Sequence, residues 1–270
     1  MKTLWQDVRY GARMLLKAPG FTAVAVFALA LGIGANTAIF SVVNTVLLRP
    51  LPFENSEGLV RVYVTDLKRG ANSYPTSYPN FKDWQAGNHV FESVTAYGET
   101  SMTLTGADAP ALLDGIITTT ELFQTLSAQP LLGRSFLPEE GQAGGGGARV
   151  VVLSHGMWQR RFGADRNIIG RQIALDGRST TVVGVMPQGF VFPLNAEETE
   201  FWIPLDPSEV GNAERGSNYL SVVARLKKGA TLEQAEAEMQ TIARRLEGQY
   251  PATNTGRNIR LVSMYEDTVG

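Results

Sequence analysis

Thirty-one consecutive residues, Ala18 to Leu48, carry no charge. A bilayer core of roughly 30 Å is crossed by about 20 apolar helical residues, and the stretch from Phe21 to Leu48, at about 1.5 Å per residue, reaches about 42 Å. A cleaved signal peptide has an apolar region of about 7 to 15 residues. Here apolar residues resume beyond the small ones, with Ile39, Phe40, Val42, Val43, Val46, Leu47 and Leu48. A buried core helix can also be apolar on every side, but no second stretch of this length accompanies it and a basic flank precedes it. The sequence therefore predicts an uncleaved membrane helix.

Orientation follows from the basic residues, because basic loops stay cytoplasmic. Lys2, Arg9, Arg13 and Lys17 precede the span against the single acid Asp7. Residues 1–49 hold five basic residues and one acidic, net +4, and the remainder holds 19 basic and 25 acidic, net −6. The N-terminus is expected in the cytoplasm and the bulk of the chain outside it, a single-pass arrangement. Leu4, Trp5, Val8, Ala12, Leu15 and Leu16 share one helical face before the span, so residues 1–18 are read as a helix lying in the membrane interface. Pro19-Gly20 breaks it.

Within the span Ala28, Gly32 and Asn36 recur every fourth residue, as do Ala30, Gly34 and Ala38. Small residues in such rows let a second helix approach, and asparagine can hydrogen-bond across. Ala28, Gly32 and Asn36 are the candidate helix–helix contact. The more polar second half, with Asn36, Thr37, Ser41, Asn44 and Thr45, suggests a stalk packed on neighbours.

The remaining chain is long enough for one large domain or two small ones. It has no cysteine, which removes disulfides and thiolate chemistry. His89 and His155 stand apart in sequence, whereas a metal site gathers several ligands. Ser154-His155 lacks a nucleophile elbow, and Asp83, Asp114, Glu139, Glu140 and Asp176 form no pattern of an acid and base pair. The Gly144 to Gly147 run lacks the lysine and helix of a nucleotide loop and reads as a linker. The net acidity argues against nucleic acid. The expectation is a chain that is not an enzyme and takes no cofactor.

Alternation and turn signals predict strands at Leu59 to Thr65, Phe91 to Thr105, Ala111 to Thr119, Arg149 to Leu153, Tyr219 to Leu226 and Ile259 to Met264, with a short one at Glu200 to Leu205. Ser77 caps a short helix, Thr120 opens a helical turn, and Ser154 caps a helix presenting Met157, Trp158, Arg161 and Phe162. Gln172 to Met186 reads as a hairpin turning at Asp176-Gly177. Thr231 and Gln234 form a capping box. The helix they open, to about Gln249, places Leu232, Ala235, Met239, Ile242 and Leu246 on one face. Trp158, Phe162, Leu232, Met239 and Leu246 are expected to be buried. The pattern predicts an α+β fold, a split sheet with helices on one face, and a β-rich middle inserted into it.

The run GIGANTAIFSVVNTVLLRPLPF (Gly32 to Phe53) and SYPNFKDWQ (Ser77 to Gln85) resemble the core region of MacB-like and FtsX-like permeases of ABC transporters. LLGRSF (Leu131 to Phe136), VVVLSHGMWQRRFG (Val150 to Gly163), LDGRSTTVVGVMPQGF (Leu175 to Phe190) and ARLKKGATLEQAEAEM (Ala224 to Met239) resemble the large acidobacterial-type subgroup. The resemblance covers essentially the whole chain. It implies one membrane helix followed by a periplasmic, porter-like α+β subdomain with a smaller inserted one, and three further membrane helices downstream. It also implies a homodimer, a separate ABC ATPase as partner, a possible periplasmic adaptor or outer partner, contact with membrane lipid, and a role in efflux or in control of that partner.

On that basis the chain divides into a cytoplasmic interfacial helix (1–18), transmembrane helix and stalk (19–50), first porter-like part (51–130), inserted β-rich subdomain (131–216) and second porter-like part (217–270). The chain stops where a second membrane helix would approach, so it is expected to be a fragment. An anchored interaction module without transport stands as the alternative. Downstream membrane helices, or a neighbouring ATPase gene, would discriminate the two.

Overall fold

The computed structural model describes residues 9–10, 13–46, 53, 55–66, 68–106, 110–143, 149–194, 199–209 and 213–269. Contacts divide the chain into two units, residues 1–49 and a body spanning 50–268. The stalk beyond Val46, the glycine run and most of the interfacial helix fall outside the described residues.

In the first unit residues 13–17 are helical, Ala18 is not, and α1 (Pro19–Val46) follows for 28 residues. Proline suits a first helical position because its missing N–H is one the helix leaves unpaired anyway. Thr22 Oγ1 donates to the carbonyls of Leu15 (2.6 Å) and Ala18 (3.0 Å), closing the break. Phe21, Val24, Phe27, Leu29, Leu31 and Ile33 are all exposed on α1. Among the described residues no helix is long and apolar enough to cross a membrane, and the described side chains of α1 stop short of its C-terminal turns.

The body contains, in chain order, β1 (Leu59–Asp66), β2 (Ala71–Tyr74), α2 (Tyr78–Gly87), β3 (Phe91–Thr105), β4 (Ala111–Thr118), α3 (Leu122–Thr125), β5 (Leu132–Gly133), β6 (Val150–Leu153), α4 (His155–Phe162), β7 (Gln172–Leu175), β8 (Arg178–Val185), β9 (Phe201–Pro204), β10 (Ser221–Leu226), α5 (Leu232–Gln249), α6 (Pro251–Asn254), β11 (Arg257–Ser263) and α7 (Met264–Val269). This mixed α+β arrangement agrees with the sequence reading. One sheet runs β11-β1-β10-β3-β4-β9-β6-β8-β5, with β2 beside β1 and β7 beside β3 and β8. The strands of segment 131–216 join it through the parallel pair β4–β9 and the antiparallel contact β3–β7.

Three apolar clusters hold the body. The first packs α2 and α5 on one face of β1, β10 and β3, through Phe81, Trp84, Met239, Ile242 and Leu246 against Val60, Val62, Val222 and Ala224. The second lies on the opposite face, where Leu59, Tyr97, Ile116 and Val223 meet α3 and an aromatic group of Phe53, Phe123, Phe192 and Trp202. The third seats α4 on β6 to β8 through Met157, Trp158 and Phe162.

The expectation of helices on one face is therefore corrected: α3 covers the face opposite α2 and α5. The cause is legible in β10, which buries Val222, Val223, Ala224 and Arg225 in succession. A strand with one solvated face alternates instead. Likewise β6 buries all four residues, dividing them between the second and third clusters.

Local signals hold at the helix starts. Ser77 Oγ accepts from the Asn80 amide (3.4 Å) and Ser154 Oγ from the Met157 amide (3.1 Å). Thr231 and Gln234 exchange both bonds of the capping box. Asp176 and Gly177 turn the β7–β8 hairpin with positive φ at both positions, the conformation an Asp-Gly turn is selected for. Leu232 is only half-buried, because it sits in the first turn at the edge of the first cluster.

Candidate functional site

Side chains alternate across a strand, so in β1 Val60, Val62 and Val64 enter the first cluster, and Leu59, Arg61 and Tyr63 face the other way. Leu59 is fully buried beside Phe53, on the chain entering the body, and Met264, on the helix that follows the last strand. The segments flanking the sheet thus meet in one core. Beside them Arg61 forms a polar tie. Its guanidinium lies 5.3 Å from the Tyr63 ring centre and 5.5 Å from that of Tyr97, and it donates a hydrogen bond to the Tyr97 hydroxyl. Asp267 of α7 receives it at 3.6 Å and accepts from the Tyr63 hydroxyl at 2.7 Å. A groove of about 340 Å³ is lined by Arg61, Tyr63, Leu194, Met264, Asp267 and Thr268.

Burial acts to lower the Arg61 pKa, but Tyr97, Tyr63 and Asp267 together hold it above its ordinary value. Burial raises the Tyr97 phenol, with Arg61 opposing. The cluster therefore keeps a charged guanidinium and a neutral phenol across the neutral range, joining β1, β3 and α7.

A second buried arginine secures the incoming chain. Arg225, 7 % exposed in β10, donates from Nε to the Thr125 carbonyl (2.9 Å) and from Nη1 to the Asn55 carbonyl (2.7 Å). Asn55 has φ +52°, so its carbonyl is presented from a left-handed turn that asparagine tolerates. Burial pushes the Arg225 pKa down, against Glu92. The loop before β1, the end of α3 and β10 thereby share one guanidinium.

The sequence-nominated residues occupy separate places. Ala28, Gly32 and Asn36 are exposed on α1, and a Cβ at Gly32 would meet nothing within 4 Å. Ser154 is the cap of α4, and His155 packs edge-on to Trp158 at 5.5 Å. His89 lies in another part of the chain, its backbone bonded to Glu238 and Lys227. Asp83 binds Arg215 (2.6 Å), which stacks on Tyr250 at 3.6 Å. Asp114 accepts from Ser101, Glu140 pairs with Arg134, Asp176 accepts from the Thr103 amide, and Glu139 is exposed. The structure does not bring these groups together. Sequence reasoning missed Arg61, Tyr97, Asp267 and Arg225; the visible signal was a charge recurring inside two apolar strands.

The sequence pattern of the family described as MacB-like periplasmic core domain matches residues 22–242. Among solved structures, the extracellular domain of a noncanonic ABC-type transporter, YknZ, from Gram-positive bacteria is similar with a TM-score of 0.55 at 16% identity, covering 75% of this chain and 99% of that one. The periplasmic region of MacB from Actinobacillus actinomycetemcomitans is similar with a TM-score of 0.54 at 16% identity, covering 79% and 94%. No curated protein matches the sequence at a significant level.

Proposed function

Since the chain belongs to the MacB-like periplasmic core domain family, we propose that it is the membrane-anchored extracytoplasmic part of an ABC transporter permease. In this reading α1 crosses the inner membrane with the basic N-terminus in the cytoplasm. A separate ATPase subunit supplies the energy, and the body carries the resulting shape change to a substrate or to a partner protein outside. The chain works as a homodimer, with Ala28, Gly32 and Asn36 at the helix contact. It performs mechanical work without covalent catalysis.

The observation that supports this most is the meeting of Phe53, Leu59 and Met264 in one core. A displacement of the incoming chain is passed at once to β1 and α7, because close-packed interiors transmit strain rather than absorb it. Arg225 and the Arg61–Asp267 pair couple the same segments through polar bonds. The uncharged length of α1 and its outward apolar side chains support the anchor.

The test is co-purification. A tagged full chain, crosslinked in its native membrane, is expected to bring down a subunit that is photolabelled by an azido analogue of ATP. Recovery of the chain with no nucleotide-binding subunit, at crosslinking yields that capture other membrane partners, would contradict the ATPase coupling.

A further inference from the structure

The body is acidic overall, yet residues 149–178 carry six arginines against two aspartates, net +4, leaving the rest of the body with 13 basic and 23 acidic residues. Three of the six have a carboxylate partner: Arg160 pairs with Glu200, and Arg149 and Arg178 share Glu209. Arg161, Arg166 and Arg171 are exposed, and among the described residues none has a carboxylate within ion-pair distance. They come from the last turn of α4, the turn after it and the residue before β7.

Arg171 lies at a groove of about 290 Å³, lined among others by Leu104, Gly106, Phe162, Ile173 and Ser179. It opens where the β3–β7 pairing ends, at Thr105 opposite Ala174, and Gly106, which follows, has φ +91°. The Arg171 guanidinium lies 5.8 Å from the Phe162 ring centre at its wall. A cleft beside a strand end, lined by Leu104, Phe162 and Ile173 and carrying Arg171 at its wall, with Arg161 next to Phe162 in the chain, suits an extended chain with one apolar side chain and flanking carboxylates. Arginine engages carboxylates through two parallel bonds from its planar fork.

We propose that this face docks an acidic, extended segment of an extracytoplasmic partner protein, its apolar residue in the groove and its carboxylates on Arg161, Arg166 and Arg171. This deepens the partner-contact part of the proposed function and rests on it. Failure here with ATPase co-purification intact overturns the docking face alone.

The test is binding of a fluorescent peptide of alternating glutamate and leucine to the full chain in detergent. The triple variant Arg161→Glu, Arg166→Glu, Arg171→Glu is expected to weaken binding at least about ten-fold. The charge-matched control Lys228→Glu, Arg244→Glu, Arg245→Glu leaves it within about two-fold. Ser179→Trp, which fills the groove without altering charge, is expected to weaken binding about five-fold. Equal losses in the two triple variants, or an unaffected Ser179→Trp, would overturn the proposal. So would a chain that ignores the peptide but binds phosphatidylglycerol vesicles through the same three arginines, which would assign the face to lipid.

Discussion

The helix α1 and the body use similar apolar side chains in opposite ways. On α1, Phe21 and Phe27 are 73 % and 71 % exposed, whereas in the body Phe123, Phe192 and Trp202 are fully buried. Burying an aromatic side chain of this size stabilises a fold by roughly 1.5 to 3 kcal/mol in water, so the body's apolar residues account for its cohesion. Those of α1 add nothing to a water-soluble fold and want another medium or another helix. The comparison shows that composition alone does not assign apolar residues to a core. The partner that each surface finds does.

The sharpest way to break this contrast is to truncate one aromatic residue on each side of it. Phe123→Ala removes a ring packed against Phe136, Phe190 and Trp202 and is expected to lower the stability of the body by about 3 to 5 kcal/mol, read as a shift of the urea midpoint. Phe27→Ala is expected to leave that midpoint unchanged. Similar shifts from both would show that α1 belongs to the body's core.

Next in size is Arg225→Met, which keeps the apolar stem and leaves the Thr125 and Asn55 carbonyls without this donor. The expected loss is about 1 to 3 kcal/mol, with faster amide hydrogen exchange in the turn before β1. A variant as stable as the parent would show that the clamp does not hold the incoming chain. Thr231→Ala removes the capping hydroxyl of α5 and should cost about 1 kcal/mol, detected in the same denaturation series.

The smallest effect is pH dependence. The folded-state pKa of Tyr97 is raised by burial, so its contribution is complete below the unfolded phenol value of about 10 and is lost as pH rises through the folded value. Absorbance titration near 295 nm should show a late-ionising phenol that disappears in Tyr97→Phe. A Tyr97→Phe profile identical to the parent's would sink this assignment.

Much of this was readable beforehand, and the particular successes and failures share a cause. Phe91–Thr105, the Asp176-Gly177 turn and the caps at Ser77, Ser154 and Thr231 depend on neighbours in sequence, where periodicity and turn chemistry act directly. The short strand β2 and the final helix α7 were not visible: β2 (Ala71–Tyr74) has neither apolar alternation nor β-branched residues and is held by pairing with β1. The helix-bearing second face was hidden for a related reason. Burial on both sides of β10 erases the alternation that would have shown a face to solvent.

The candidate site was less legible than the fold. Arg61 and Asp267 are 206 residues apart in number and meet only because β1 pairs with β11 and α7 follows that strand. No spacing rule brings such residues together. The aspartate carries no local mark, and the only clue was an arginine at the centre of a valine-rich strand. The arginine face of segment 149–178, by contrast, can be counted from the sequence once the inserted segment is treated by itself.

The absence of cysteine permits a direct test of membrane topology, on which the account rests. Single-cysteine variants Lys2→Cys and Lys228→Cys, the second at an exposed position in the body, would be treated in intact cells with a membrane-impermeant maleimide. The account predicts labelling at position 228 before lysis and at position 2 only after it. Labelling of both positions only after lysis, or of position 2 alone in intact cells, would contradict it.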